Sequence, residues 1–291
     1  MNLIQRAISR FDRKGWFDQL PDDLYLKIMY RTYLGKRLNL KNPKTYNEKL
    51  QWLKLYDRKP EYSMMADKYA VREHITNVVG EKYLIPLLGV WDDPEDIDFD
   101  ALPKQFVLKC NHNSGTGMCI CKDKSKLDID RVKTNLRKGL GQNYHLHGRE
   151  WVYKNIKRRV VAEKFMVDES GEVLKDYKVM CFNGEPKIIQ IHSGRFKDHR
   201  VEWYDANWEL LDVWLGVPMS GIKTERPQFL EEMLELSRKL SAGIPQLRVD
   251  WYYTNGQLYF GELTFFNASG LTPFTPEQWD KKLGDLIQLP K

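Results

Sequence analysis

FVLKCNHNSGTG, Phe106 to Gly117, is the stretch from which the rest of the chain can be read. Phe106, Val107 and Leu108 favour a strand, and Lys109 can hold an ammonium at the strand end. Ser114, Gly115, Thr116 and Gly117 can turn backbone N–H groups toward anionic oxygens. A strand delivers a phosphate-binding loop in this way. The spacing is neither GxGxxG nor GxxxxGK[ST], so the dinucleotide and P-loop patterns are not met. A plain β-hairpin with a solvated lysine reads at least as well at this point.

Length, composition and charge narrow the class. At 291 residues the chain is near the size at which single cores stop growing, about 250–300 residues, so two closely associated lobes are expected. A hydrophobic content of 42% with 12% aromatics excludes a disordered chain. The net charge of +6 is mixed in sign; it suits nucleotides, anionic polymers or a membrane surface and lacks a nucleic-acid signature. Cys110, Cys119, Cys121 and Cys181 form no spaced disulfide framework, which points to the reducing cytoplasm. No signal-peptide pattern is present, and the apolar runs fall short of the roughly 20 residues that cross a bilayer.

The first 65 residues read as helices. Leu3, Ile4, Ala7, Ile8 and Phe11 share one helical face beside Arg6, Arg10, Arg13 and Lys14, giving a basic amphipathic helix. Such a helix docks on its own domain or makes peripheral contact with an anionic membrane surface. Helices follow over Asp22–Tyr33 and Thr45–Tyr56, the latter opening with the capping-box spacing of Thr45 and Glu48. A further helix is expected over Asp67–Val79. Lys68 would sit in its first turn, against the helix dipole, which hints that it faces an anion; an exposed lysine is the alternative. The acidic run Asp92 to Asp100 reads as a solvated loop and not as an Asp-x-Asp metal element. Cys110, His112, Cys119 and Cys121 lack zinc-site spacing.

The second half is mostly antiparallel sheet with one amphipathic helix over Pro227–Leu240. Asp176–Phe182 and Lys187–Ile191 flank a turn at Asn183–Pro186. The last hairpin, RVDWYYTNGQLYFGELTF from Arg248 to Phe265, carries Asp250 and Glu262 on otherwise apolar strands. Buried carboxylates need a cation, either Mg²⁺ or a salt bridge from Arg248 or a nearby lysine. A plain turn at Asn255–Gly256 pairs Asp250 with Gly261 and sends Glu262 to the other face. A shared metal site therefore requires a three-residue turn or a bulge, for which Gly261 is suited.

Together with NPKTYNEKLQWLKLYD, ADKYAVREHI, YLIPLLGVWD, REWVYKNIKRRVVAEKF and DYKVMCFNGEP, these stretches resemble the ATP-grasp superfamily, and within it the TupA-like branch found with bacterial surface-polysaccharide synthesis. The resemblance runs through most of the chain. It implies an α+β ATP-grasp fold, two lobes with mostly antiparallel sheets clasping ATP, plus a helical N-terminal region. The corresponding divisions are residues 1–65 for the helical region, 66–160 for the first lobe with its glycine-rich loop, and 161–291 for the second lobe. The implied cofactors are ATP and Mg²⁺. Lys68 and Lys109 match the lysines that hold the phosphates, under the loop Ser114, Gly115, Thr116 and Gly117. Glu163, Lys164 and Met166 match the adenine hinge, Asp176 the ribose acid, and Lys178 a further phosphate or substrate cation. Asp250 and Glu262 match the metal ligands, and Arg248 the arginine that stabilises charge on the acylphosphate; Lys109 shares that catalytic role.

Two departures bear on function. Most ATP-grasp ligases carry Asn two residues after the metal glutamate, whereas this chain has Thr264 there and Asn267 further on. Thr264, Asn267 or water can complete the shell. The helical residues 1–65 also replace the βαβ-type first lobe of many ligases. The implied activity is a carboxylate–amine ligase acting through an acylphosphate, joining an amino acid or small amine to a uronic acid of a surface glycan in the cytoplasm or at the inner membrane face. A kinase, a glycosyltransferase and a non-catalytic nucleotide-binding subunit are the alternatives.

Overall fold

The computed structural model describes residues 3–167, 174–194 and 199–290. Five helices come first: α1 (Leu3–Arg13), α2 (Asp22–Leu34), α3 (Tyr46–Tyr56), α4 (Glu61–Ala66) and α5 (Val71–Val78). Thr45 caps α3 by accepting from the Glu48 N–H, while the Glu48 carboxylate accepts from the Thr45 N–H, so two otherwise orphaned donors are satisfied together. α1 rests on α2: Ile8 packs against the cluster of Tyr25, Leu26 and Met29, and the Ser9 hydroxyl lies 3.1 Å from that of Tyr33. The Ile4 side chain lies outside the described set. No helix among the described residues is long and apolar enough to cross a membrane.

The helix expected over Asp67–Val79 is corrected. α4 ends at Ala66, α5 begins at Val71, and Lys68 lies in the turn between them. Asp67 causes the break. Its carboxylate accepts from the Tyr69 N–H and from Asn111 Nδ2, both at 2.8 Å, which fixes the turn to the end of the first-lobe sheet. The dipole argument for Lys68 therefore fails, because no helix turn contains it.

That sheet has four antiparallel strands, β1 (Leu87–Trp91), β2 (Phe106–Cys110), β3 (Met118–Cys121) and, after α6 (Ile129–Leu140), β4 (Val160–Lys164), in the order β1-β4-β2-β3. Alternation along β2 sends Phe106, Leu108 and Cys110 into a core with Val132 and Leu136 of α6. Val107 and Lys109 are left on the opposite face. The second sheet begins at β5 (Asp176–Phe182) and continues through β6 (Glu185–Ser193) and β7 (Arg200–Asp205). β8 (Trp214–Leu215) precedes α7 (Leu230–Leu240), which is followed by β9 (Gln246–Thr254) and β10 (Gln257–Thr264). The five-stranded order is β10-β9-β5-β6-β7, and β11 (Phe274–Thr275) pairs with β8 before α8 (Gln278–Leu286) closes the chain.

Hairpin turns at Asn183–Gly184 and Asn255–Gly256 put both residues at positive φ, the conformation that matches strand twist in two-residue loops. α7 covers one face of the second sheet, where Trp251 donates its indole N–H to the Ser237 hydroxyl at 2.8 Å. The two sheets thus have separate cores, and the uncovered face of each sheet borders a cleft.

Candidate active site

The cleft is a cavity of about 410 Å³. The first sheet contributes Lys109 from β2 and Glu163 and Lys164 from β4; the second contributes Asp176 and Lys178 from β5, Asp250 from β9 and Glu262 from β10. Lys68, the loop Ser114–Gly117 and Met166 complete the polar wall and rim, while Ile85, Val107, Ile120, Phe165 and Tyr252 supply an apolar wall. Arg248 and Thr264 do not line this cavity. They line a second one, discussed below, that shares Lys68, Ser114 and Glu262 with it.

Strand register explains how the carboxylates meet. The Asn255–Gly256 turn is the two-residue form, with Thr254 paired to Gln257, yet the register shifts between Phe260 and Glu262. Gly261 is the bulged residue, and Glu262 consequently faces Asp250, which on its other side faces Lys178 of β5. Three charged residues on neighbouring strands are thereby aligned across the sheet. A Cβ on Gly261 would lie 3.1 Å from the Asp250 carbonyl oxygen and from the Tyr252 ring, so the bulge is also closely packed.

Both bonding patterns foreseen for these carboxylates bear on the geometry. The Arg248 guanidinium grips Asp250 through Nε at 2.6 Å and Nη2 at 2.8 Å, and Lys178 adds a short contact to the same carboxylate. Burial raises the Asp250 carboxyl, but Arg248 and Lys178 outweigh it and hold the group below the usual carboxylate range. Glu262 behaves similarly: burial raises it, Lys68 and Arg248 lower it, and the net shift is downward despite the neighbouring Asp250. Its Oε1 accepts from Arg248 at 3.0 Å, whereas among the described residues Oε2 has only the Lys68 ammonium, 3.9 Å away. The Arg248 charge, opposed by burial, is secured chiefly by Asp250.

Oxygen donors of this kind suit Mg²⁺, with Glu262 Oε2 as the open ligand and Asp250 beside it. Thr264 Oγ1 is 3.4 Å from Glu262 Oε1. Asn267 is committed elsewhere: its Oδ1 accepts from Arg248 Nη1 at 2.7 Å, so it orients the guanidinium. Among the described residues no group of three or more His, Cys, Asp or Glu side chains converges. Both Asp250 oxygens are taken by Arg248 and Lys178, so a Mg²⁺ here would rest on Glu262 Oε2 and draw its other ligands largely from phosphate oxygens and water.

The glycine-rich loop is held from below. Gly115 and Gly117 have φ of +88° and +73°, and a Cβ on Gly117 would lie 2.5 Å from Cys110 Sγ and 2.9 Å from the Gly139 Cα of α6. Asn113 donates to the Gly139 carbonyl at 3.1 Å, and Gln142 donates to the Thr116 hydroxyl at 3.0 Å. His112 Nε2 lies 3.2 Å from the Gln142 carbonyl oxygen, so His112 and Cys110 are packing and loop-fixing groups. Lys68 donates to the Asn113 carbonyl at 2.7 Å, and burial lowers its pKa. Lys109 is not a solvated lysine: it contacts Glu163 at 2.5 Å, and Arg72 approaches the same carboxylate at 3.8 Å. Arg72 stands in the ADKYAVREHI stretch, but its approach to Glu163 is set by the fold and not by local spacing.

The second cavity, about 500 Å³, was not foreseen. Ser9, Asp12 and Arg13 of α1, Tyr25, Met29 and Tyr33 of α2, the turn Tyr144–Gly148, Glu150, Tyr153 and the segment after β10 enclose it. Its organiser is Lys54. This lysine is fully buried, and its ammonium donates to Gln51 Oε1, the Gly148 and Ser269 carbonyls and the Ser269 hydroxyl at 2.6–3.0 Å. Burial pushes its pKa down to about 8. Arg149, stacked 4.3 Å over Tyr25, donates to the carbonyls of Phe17, Asp18 and Leu20 and so ties the α1–α2 connection to this wall.

Two antiparallel sheets closing on a cleft lined with lysines and carboxylates define the ATP-grasp architecture. The chain belongs to the TupA-like ATP-grasp family, whose model matches residues 48–288. No curated protein matches it. Among solved structures it is similar to D-alanine–D-alanine ligase from Bacillus anthracis complexed with ATP (18% identity, TM-score 0.42, 69% of this chain and 54% of that one). It is also similar to the Helicobacter pylori D-alanine–D-alanine ligase (14%, TM-score 0.45, 84% and 69%) and to a RimK domain ATP-grasp protein from Sphaerobacter thermophilus (12%, TM-score 0.43, 79% and 70%). The chain spans about half the length of the Bacillus anthracis ligase.

Proposed function

We propose that the protein is an ATP-dependent carboxylate–amine ligase that works through an acylphosphate, joining an amino acid or small amine to a uronic acid of a bacterial surface polysaccharide. The observation that carries this reading is the junction of the two cavities at Lys68, Ser114 and Glu262. A nucleotide in the first cavity and a carboxylate in the second would meet there, with no nucleophilic protein side chain required. The glycan part rests on the family's association with polysaccharide synthesis. The proposed compartment is the cytoplasm, with no nucleic-acid partner.

In this mechanism Lys109, Lys68 and the loop N–H groups bind and orient the phosphates, and Glu163 and Lys164 hold the base end. Asp250 and Glu262 would hold Mg²⁺, which when bound supplies charge stabilisation at the transferring phosphoryl group. Arg248, fixed by Asn267 and Asp250, presents positive charge to the carboxylate as it becomes an acylphosphate and then a tetrahedral intermediate. The test is ADP and phosphate release from ATP and Mg²⁺ with a panel of uronate glycans and amines. Release that depends on both partners supports a ligase. A stable phosphorylated product formed without amine identifies a kinase instead, and sugar-nucleotide binding that competes with ATP favours a glycosyltransferase.

A further inference from the structure

The second cavity contains a buried acid that phosphoryl transfer does not use. Glu150 lines the cavity, is 8% exposed and makes no ion pair among the described residues. Lys54 lowers it electrostatically without an ion pair, through a shared neighbour: that ammonium is given to Gln51, Gly148 and Ser269, and its contact with the Ser269 hydroxyl is 2.9 Å. Arg248, the other cation that reaches it electrostatically, is held by Asp250, Asn267 and Glu262. The Ser269 hydroxyl hydrogen-bonds Glu150. Tyr144 and Tyr153 stand edge to face at 5.0 Å in the same cavity, and both interact with the Glu150 charge. A buried carboxylate with no direct ion pair is costly, and a cation beside tyrosine rings is attracted to their faces. A carboxylate and aromatic rings lining one cavity are the groups that bind a primary ammonium.

We propose that Glu150 binds the ammonium of the amine substrate in this cavity and takes its proton, releasing a neutral amine toward the junction at Lys68, Ser114 and Glu262. This inference rests on the ligase reading. One proton passes from R–NH₃⁺ to the Glu150 carboxylate and leaves a lone pair on nitrogen. That pair forms the C–N bond to the acyl carbon, the C–O bond to phosphate breaks, and phosphate departs with the bonding electrons. The proton in excess on the attacked nitrogen goes to the departing phosphate. Burial raises the Glu150 carboxyl, Glu262 adds to the rise, and Lys54, Ser269 and Arg248 oppose it; the net upward shift favours proton acceptance from an amine. Asp12, Tyr25 and Tyr33, from helices that precede the family-matched residues, line the same cavity and are placed to choose among amines.

The test compares two nucleophiles in the same reaction. Full-length protein with ATP, Mg²⁺ and the uronate-glycan panel receives either hydroxylamine, which is largely unprotonated at neutral pH, or an amino acid, whose amine is protonated. Hydroxamate and amide are both quantified. Glu150→Gln is expected to lower the amide-to-hydroxamate ratio by about 100-fold, the scale of losing a general base. An unchanged ratio overturns the proposal, including the case in which both products fall equally because the fold is damaged. If Glu150→Gln does not fold, Glu150→Asp carries the same comparison, with a ratio reduced but above zero expected and an unchanged ratio again contrary. Absence of hydroxamate and amide from wild-type protein across the panel overturns the ligase reading, and the inference with it.

Discussion

Replacing Gly117 by alanine tests whether the glycine-rich loop is fixed by close approach to α6, and Gly115→Ala is its internal comparison. Both residues have left-handed φ, which costs an alanine about 1–2 kcal/mol. Around Gly115 an added Cβ meets nothing within 4 Å, so this cost stands alone. At Gly117 the Cβ would lie 2.5 Å from Cys110 Sγ and 2.9 Å from Gly139 Cα, so either the loop or α6 must shift, adding the roughly 1–3 kcal/mol of an overpacked site. Gly117→Ala should therefore destabilise by about 2–5 kcal/mol and Gly115→Ala by about 1–2 kcal/mol in urea unfolding. Because a shift of the loop would also displace Ser114 and Thr116, ATP affinity measured by calorimetry should fall further for Gly117→Ala. Equal losses of stability and of affinity in the two variants would refute the close-approach argument.

Lys109→Met removes a charge-assisted contact of about 1.5–3 kcal/mol and should weaken ATP binding roughly 10- to 100-fold in a titration; undiminished affinity would take Lys109 out of the phosphate site. Glu262→Gln should abolish ADP release while leaving nucleotide binding in EDTA in place, and retained turnover would count against Glu262 as a metal ligand. Asp250→Asn leaves buried Arg248 and Lys178 short of their shared carboxylate and should cost about 3–5 kcal/mol at pH 7. Its pH dependence has a definite sign. Because the folded carboxyl titrates below its unfolded value of about 3.9, its stabilisation is complete above that value and is lost as pH falls through the folded pKa. The stability gap between wild type and Asp250→Asn should accordingly narrow in acid, and a gap constant from neutral pH to about pH 3 would contradict the pairing.

The hairpins and their faces were legible in the sequence because strand alternation and Asn-Gly turns are local signals. Gly261 is the clearest case: counting residues shows that Asp250 and Glu262 share a face only with a three-residue turn or a bulge, and the register shift falls at Gly261. The segment after α4 was misread for the opposite reason. Asp67 breaks the helix by bonding to Asn111, 44 residues away, a partner that no local pattern announces. Lys54 and Glu150 were invisible on the same grounds. Each looks like an ordinary charged residue until α3, the Tyr144–Arg149 turn and the Asn267–Gly270 turn converge around them. Asn267 reads in the sequence only as a candidate to complete the metal shell beside Thr264 and water, and its bond to Arg248 is a contact that no local pattern announces.

A crystal structure of the protein with Mg²⁺ and a non-hydrolysable ATP analogue tests the central claim most directly. The account predicts the base beside Phe165 and Tyr252, the phosphates against Lys68, Lys109 and the Ser114–Gly117 loop, and the metal on Glu262 and Asp250. A nucleotide bound outside the cleft between the two sheets, or phosphates that leave Lys109 and Glu262 untouched, would contradict it.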